Sequence, residues 1–214
     1  MQALQAQMNP HFIFNVLNSI QHYLMINYGE QALIYLAKFA KLIRMIFDFS
    51  RKSTISLYNE INFLKLYMEM EKLRFKQRIE VALIVDDEID EELIKIPPLM
   101  IQPIVENCFK HGLLHKEGEG KVLVKFEKTL RGTICVVEDN GIGRTAAKAM
   151  KSWKKKTHKS AGVNTTKERL KLWLSKKNEE VPKDAFQVID LEDENGQVIG
   201  TRVEMLLQEN RSLT

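Results

Sequence analysis

The sequence predicts an α+β protein in two parts, an N-terminal helical hairpin region over residues 1–77 and an α/β sandwich over residues 78–214. Three observations carry that reading. Apolar residues recur at three- and four-residue spacing through the first third, strand-like alternation starts abruptly near residue 78, and proline, glycine and turn residues then punctuate short apolar runs to the end.

In the first segment Phe12, Val16, Ile20, Tyr23 and Leu24 fall on one helical stripe. Asn27-Tyr28-Gly29 interrupts it, and a second stripe follows at Leu33, Ala37, Ala40, Ile43 and Phe47. Residues 50–56 are polar. A third segment, 57–75, sets Ile61, Leu64 and Met68 on one side and many charges on the other. Three amphipathic segments with little polar filler need each other, or a second chain, to bury their stripes. A plain helical bundle has the same pattern.

Residues 79–85 alternate as a strand, 86–92 form an acidic turn region, and Ile94-Lys95-Ile96 is a short extended piece. Pro97-Pro98 is expected to open a helix, because proline is tolerated in a first turn and not later, and Gly112 to end it. Residues 122–126 and 133–138 read as strands, 144–160 as a basic stretch without pattern, and 163–176 as a helix with Val163, Leu170, Trp173 and Leu174 on one side. Two closing strands, 186–191 and 198–207, are joined by Glu194-Asn195-Gly196.

Composition bounds the function without choosing it. Of the 214 residues, 44% are apolar and 28% charged, ordinary for a globular chain, and a net charge of +4 is slight for a nucleic-acid binder. The two cysteines, Cys108 and Cys135, lie in apolar patterns, so no disulfide framework or metal-ligand spacing is expected, as in a reducing cytosol. The first twenty residues do not read as a signal peptide, and no apolar run is long enough to span a bilayer. The chain opens inside a helical pattern, as a piece of a longer protein would.

Four constellations could carry chemistry. Residues 8–15, Met-Asn-Pro-His-Phe-Ile-Phe-Asn, place His11 at a helix start capped by Asn9 or at a proline kink, with Asn15 one turn later on the same face. His11 reads either as a packed or surface histidine or as a nucleophile, its ordinary pKa of about 6.5 leaving it mostly neutral at pH 7. In residues 103–112 an apolar stripe leaves Asn107, Lys110 and His111 together beside it. A carboxamide oxygen next to an ammonium suits a Mg-triphosphate, although an amphipathic helix with a polar edge looks the same.

Glu138-Asp139-Asn140-Gly141-Ile142-Gly143 follows an apolar strand and is not followed by a return strand. Gly141 and Gly143 permit close approach of a flat ligand, and Asp139 can accept a hydrogen bond from an exocyclic amine such as that of adenine. Last, Ser160-Ala161-Gly162-Val163-Asn164-Thr165 is a small-residue turn into a helix, whose free amides suit phosphate. The preceding lysines (Lys148, Lys151, Lys154, Lys155, Lys156, Lys159) form a solvated face or a cover over a triphosphate.

In this order the four pieces resemble the sensor histidine kinases of the LytS/YehU type. The family's phospho-acceptor stretch is similar to residues 5–15, its linker motif to Tyr67-Met68-Glu69-Met70-Glu71-Lys72-Leu73-Arg74-Phe75, its N box to residues 98–112, and its glycine boxes to 139–143 and 162–170. The resemblance implies a dimerising phospho-acceptor region and the ATPase fold shared with gyrase and MutL, a mixed sheet with helices on one face. It implies ATP and Mg, with Mg held by Asn107, adenine read by Asp139, residues 144–160 as lid, and Lys110, His111, Gly141, Gly143, Gly162 and Asn164 around the nucleotide. The sequence departs from the pattern at Phe12, where an acidic residue often follows the acceptor, at Ser160, where a glycine often stands, and at Pro103, four before Asn107.

The expectation is therefore an ATP-dependent protein-histidine kinase that phosphorylates His11 and passes the phosphoryl group to a response-regulator aspartate, with Asn15 assisting dephosphorylation of the regulator. Its partners are a receiver domain and a second copy of itself, with no nucleic acid. It is expected at the cytoplasmic face of a bacterial inner membrane, held there only by a segment upstream of Met1. A catalytically silent ATP-gated module is the first rival, and a basic nucleic-acid binder the second.

Overall fold

The computed structural model describes residues 10–75, 78–144, 161–176 and 181–209. Helices α1 (Pro10–Met25) and α2 (Gly29–Phe49) form a hairpin, turned at Asn27, whose φ of 61° asparagine tolerates better than most residues. A two-residue strand, β1 (Ile55–Ser56), leads into α3 (Leu57–Arg74), where the Ser56 hydroxyl caps the helix by accepting from the Asn59 amide.

The stripe read for α1 is largely the one that is covered: Phe12, Val16 and Ile20 are buried, while Leu24 at its end is exposed. In α2 a different face turns inward. Ala32, Tyr35, Phe39, Leu42 and Phe49 are buried, whereas Leu33 is 65% and Phe47 57% exposed. The helix is apolar on two faces, and periodicity cannot say which one its own chain covers. Ring contact decides it, since Tyr35 meets Tyr23 of α1 at 5.3 Å between centroids.

Helix α3 is covered on nearly every side. Beyond Ile61, Leu64 and Met68 it buries Phe63, Tyr67, Met70, Leu73 and the two acids Glu60 and Glu71. It packs on α1 and α2, and it also meets the rest of the chain. β1 pairs antiparallel with β3 (Lys95–Ile96), and Phe75 lies against Phe109. One apolar core thus continues from Phe12 to Leu207.

The sheet is mixed and five-stranded: β2 (Ile79–Val85), β4 (Gly120–Thr129), β5 (Gly132–Asp139), β6 (Phe186–Glu192) and β7 (Val198–Glu209), in the order β2-β4-β5-β7-β6. β2 runs parallel to β4 and the other neighbours are antiparallel. Val124 stands opposite Val137 and Cys135 opposite Met205, all fully buried. Helix α4 (Gln102–Asn107), continued by a wider π-helical turn over Cys108–Leu113, packs on the middle strands, and α5 (Ala161–Ser175) packs on α4 and β7.

Pro97-Pro98 does not open a helix. The chain breaks at Leu99, whose φ of 54° is rare for a bulky residue, and the helix starts at Gln102 with Pro103 in its first turn. Glu60 holds the break: its carboxylate accepts from the Leu99 amide at 2.9 Å and the Ile101 amide at 3.0 Å. Arg169 of α5 donates to the carbonyls of Pro98 at 2.8 Å and Leu99 at 3.3 Å. A strained backbone of this kind costs on the order of 1–3 kcal/mol and persists where its surroundings over-determine it.

Burial pushes the Glu60 carboxyl up to about 7 from its ordinary 4.5, against the pull of the Ile101 and Leu99 amides and of Arg169. Folding therefore favours the protonated form. The stability this gives is complete below the unfolded value of 4.5 and is lost as pH rises through about 7. The loss is on the order of 3 kcal/mol. Thermal unfolding from pH 4.5 to 7.5 should show Tm falling in the wild type and falling less in Glu60→Gln, which does not titrate. An equal fall in both chains would refute the assignment.

Candidate functional site

Asp139 ends β5 and is buried. One carboxylate oxygen accepts from the Gly141 amide at 2.8 Å, and Cys108, whose thiol donates to the Ile104 carbonyl at 3.4 Å, lies beside the same side chain. Burial pushes its pKa up to about 6 from 3.8, opposed by the Gly141 amide, the Cys108 thiol and the charge of Lys116.

Glycines make this arrangement possible. A Cβ on Gly112 would come within 2.5 Å of the Asp139 carboxylate, one on Gly141 within 2.3 Å of the Gly112 backbone, and one on Gly200 within 2.1 Å of the Asp139 carbonyl. The Ile142 amide donates to the Gly112 carbonyl at 3.1 Å, closing the contact. Gly141 thus permits approach of a second backbone, whereas the sequence reading assigned it to a ligand. Gly143 has a φ of 76°, in the region that favours glycine. The Asn140 side chain is taken up by structure, accepting from the Lys121 amide at 2.7 Å and donating to the Glu119 carbonyl at 3.3 Å.

Asn107 closes α4, one residue before Cys108. Its amide nitrogen is buried and meets no hydrogen-bond partner. Such a group costs about 1–3 kcal/mol, and native structures rarely keep one without a reason. Lys110 and His111 follow in the π-helical turn, a feature frequent at functional sites, and Lys110 forms an ion pair with Glu106. Among the described residues no cluster of three histidines, cysteines or acids could hold a metal ion.

Gly162 and Asn164 lie in the first turn of α5, Asn164 exposed, and the helix is tied to the loop before α4 through Arg169. Arg144 is bound by Asp190 of β6 through two hydrogen bonds of 2.7 and 2.8 Å. Ser160, His158 and the six lysines of the expected lid fall outside the described residues, as do Met8 and Asn9.

Pro10 is the first residue of α1, and His11 is exposed beside it. The Asn15 side-chain nitrogen lies 3.1 Å from His11 Nδ1, so the one-turn spacing brings the two groups into contact. Phe12 turns the other way and stacks on Tyr67, which explains why an apolar ring stands where an acid often does. The structure thus brings His11 to Asn15, and it places Cys108, the residue after Asn107, beside Asp139. Gly112 and Gly200 cannot be foreseen from spacing. Glu60 and Glu71 could be, since both fall on the stripe of Leu57, Ile61, Leu64 and Met68, where a charge is out of place.

A family model described as "Histidine kinase" matches residues 1–79. YwpD of Bacillus subtilis, described as a putative uncharacterized protein, is 37% identical over 80% of this chain and 61% of its own length. The sensor histidine kinase/phosphatase LytS of Staphylococcus aureus is 30% identical over 81% of this chain and 29% of its own. These matches support a LytS-type histidine kinase. The chain spans about three fifths of the first relative and under a third of the second. Among solved structures, a histidine kinase domain from Erythrobacter litoralis aligns over 93% of this chain and 96% of its own, at 11% identity and a TM-score of 0.43. No described helix is long and apolar enough to cross a membrane.

Proposed function

We propose that this chain binds Mg-ATP, transfers the γ-phosphoryl group to His11, and passes it to an aspartate of a response-regulator receiver domain. The observation that carries the reading is the Asn107 side-chain amide nitrogen, buried without a partner in the residue before Cys108, which lies beside the buried Asp139. In this reading Asp139 accepts from the amine of adenine, and Lys110 leaves Glu106 to offset phosphate charge. Asn107 supplies the protein oxygen for Mg, which neutralises charge on the phosphate oxygens when bound. His111, Gly143, Gly162 and Asn164 border the phosphates and residues 144–160 cover them, while Gly141 holds the adenine loop in shape.

His11 attacks with a ring-nitrogen lone pair. A P–N bond forms as the bond from phosphorus to the bridging oxygen breaks, and the electron pair leaves with ADP. The ring then sheds its extra proton to solvent. Asn15 sets this up. Turned over so that its amide oxygen replaces the nitrogen that lies 3.1 Å from Nδ1, Asn15 holds the proton on Nδ1 and leaves the Nε2 lone pair outward, a task an acid would otherwise perform. The same amide can orient water at a docked phospho-aspartate, in keeping with the phosphatase in the name of the Staphylococcus aureus relative.

Residues 1–77 carry acceptor and dimer contacts in this proposal, and residues 78–214 the nucleotide, with α3 shared between them. The protein works at the cytoplasmic face of a bacterial inner membrane, anchored by sequence upstream of Met1. Dimerisation is supported by the apolar surface of the hairpin, where Phe14 (64% exposed), Leu17, Leu33, Leu36 and Phe47 face solvent. Light scattering at micromolar concentration should therefore give about twice 24.9 kDa, and Leu33→Lys with Phe47→Lys should lower it. A wild-type mass of 24.9 kDa at that concentration speaks against the dimer.

The silent ATP-gated module keeps one observation in its favour, the burial of Phe12 in place of an acid. ATP labelled at the γ-phosphate separates the two. Labelled protein supports the kinase, and binding without label supports the module.

A further inference from the structure

Residues 67–75 of α3 neither touch nucleotide nor accept phosphate in the reading above, yet they build a buried polar link between the two sites. The Tyr67 ring stacks on Phe12, the residue next to His11, at 4.9 Å and 29° between planes, and on Phe63 at 6.1 Å. Its buried hydroxyl donates to Glu71 at 3.0 Å. Glu71 is itself buried, 3.7 Å from Arg74, and it feels the charges of Glu106 and Lys110 on α4 and its π-helical turn. Arg74 lies over the Phe75 ring, which packs on Phe109 of that turn.

Stability alone does not account for this. Burial raises the pKa of Tyr67 and of Glu71, so an ionisable pair stands where apolar side chains of similar volume would pack without that cost. The link has one charged end beside Lys110 and one aromatic end beside His11.

Resting on the kinase reading, we propose that Tyr67 and Glu71 are positioning residues for the phosphoryl transfer, aligning the His11 helix with the occupied nucleotide site. In the nucleotide-free chain Lys110 pairs with Glu106 and also offsets the charge of Glu71, whose other counter-charge is Arg74. When the triphosphate draws Lys110 away, Glu71 keeps Arg74 but faces an unbalanced Glu106. Glu71 then leans more on the Tyr67 hydroxyl, and the Tyr67 ring carries Phe12 and with it the start of α1. Nucleotide occupancy is thereby felt at the acceptor.

The test measures initial rates of His11 labelling against ATP concentration in the full chain, for wild type, Tyr67→Phe, Glu71→Gln and the double variant, with Tm and calorimetric ATP affinity for each. Tyr67→Phe keeps both ring stacks. It should lower the maximal rate roughly tenfold while KM for ATP and affinity stay within about twofold, and the double variant should be no slower than the slower single one, as for residues acting as a unit. Equal maximal rates in wild type and variants, a rise in KM that accounts for the loss, or a rate loss matched by loss of folded protein overturns the inference alone. A wild-type chain that binds ATP and takes no label overturns the kinase reading, and this inference with it.

Discussion

The His11→Gln chain is expected to take no phosphoryl label from Mg-ATP while binding ATP as tightly as the wild type. Phosphorus bound to an imidazole nitrogen is labile to acid and stable to base, so the wild-type label should vanish at low pH and survive alkali. The chain has five histidines: His11, His22, His111, His115 and His158. His111, His115 and His158 belong to the part proposed to bind nucleotide, where they cannot be presented to the γ-phosphate as a mobile acceptor. His22 is exposed three turns along α1, beside Tyr23, and has neither a preceding proline nor the Asn15 contact.

Affinity should survive the substitution because His11 is exposed on α1, whereas Asp139 is buried at the end of β5. Asn15→Ala adds a second arm. Losing one neutral hydrogen bond, about 0.5–1.5 kcal/mol, slows labelling by roughly 2- to 12-fold. Regulator dephosphorylation should suffer more, because in this reading the Asn15 amide orients the attacking water. A label that persists on His11→Gln removes the acceptor assignment, and lost ATP binding in that chain shows that the two sites are not independent.

Asp139→Asn is expected to weaken ATP binding by roughly 10- to 150-fold, the worth of a hydrogen bond to a charged group at about 1.5–3 kcal/mol. The amide still offers an oxygen to Gly141, but its nitrogen presents a donor toward the amine of adenine. Stability should not fall with affinity. Burial holds the Asp139 pKa at about 6, so above that pH the folded chain bears an ionised group it disfavours, and the neutral amide relieves this. The same shift predicts a pH profile. A ligand amine needs the carboxylate, so wild-type affinity for adenosine, which carries no phosphates, should decline as pH falls below about 6 and the variant's should not. Unaltered calorimetric affinity in Asp139→Asn would place the adenine elsewhere.

Much of this architecture is legible in the residues. Every strand of the sheet shows as an apolar or alternating run bounded by turn residues, and β5 delivers Asp139 to the end where an acceptor is useful. The His11 and Asn15 contact follows from a four-residue spacing on one helix. Helix α2 shows the opposite case. Leu33, Ala37, Ala40 and Phe47 form as good a stripe as Tyr35, Phe39 and Leu42, and only packing against α1 and α3 selects between them. The rejected stripe becomes the apolar surface from which the dimer is argued.

By itself the sequence determined the element types, the order of helical hairpin and mixed sheet, and the boxes that mark the family, because each depends on neighbours within a turn or a strand. The tertiary structure alone decided which face of α2 is covered, where the helix after Pro97-Pro98 begins, and why glycines stand at 112, 141 and 200. It also decided that Glu60 and Arg169 grip Leu99 and that Tyr67 of α3 stacks on Phe12 of α1. Those features depend on backbones and charges meeting across long separations, such as Glu60 with Leu99 or Asp139 with Gly200. Local periodicity carries no record of such meetings; close packing and the cost of leaving a buried polar group unpaired enforce them.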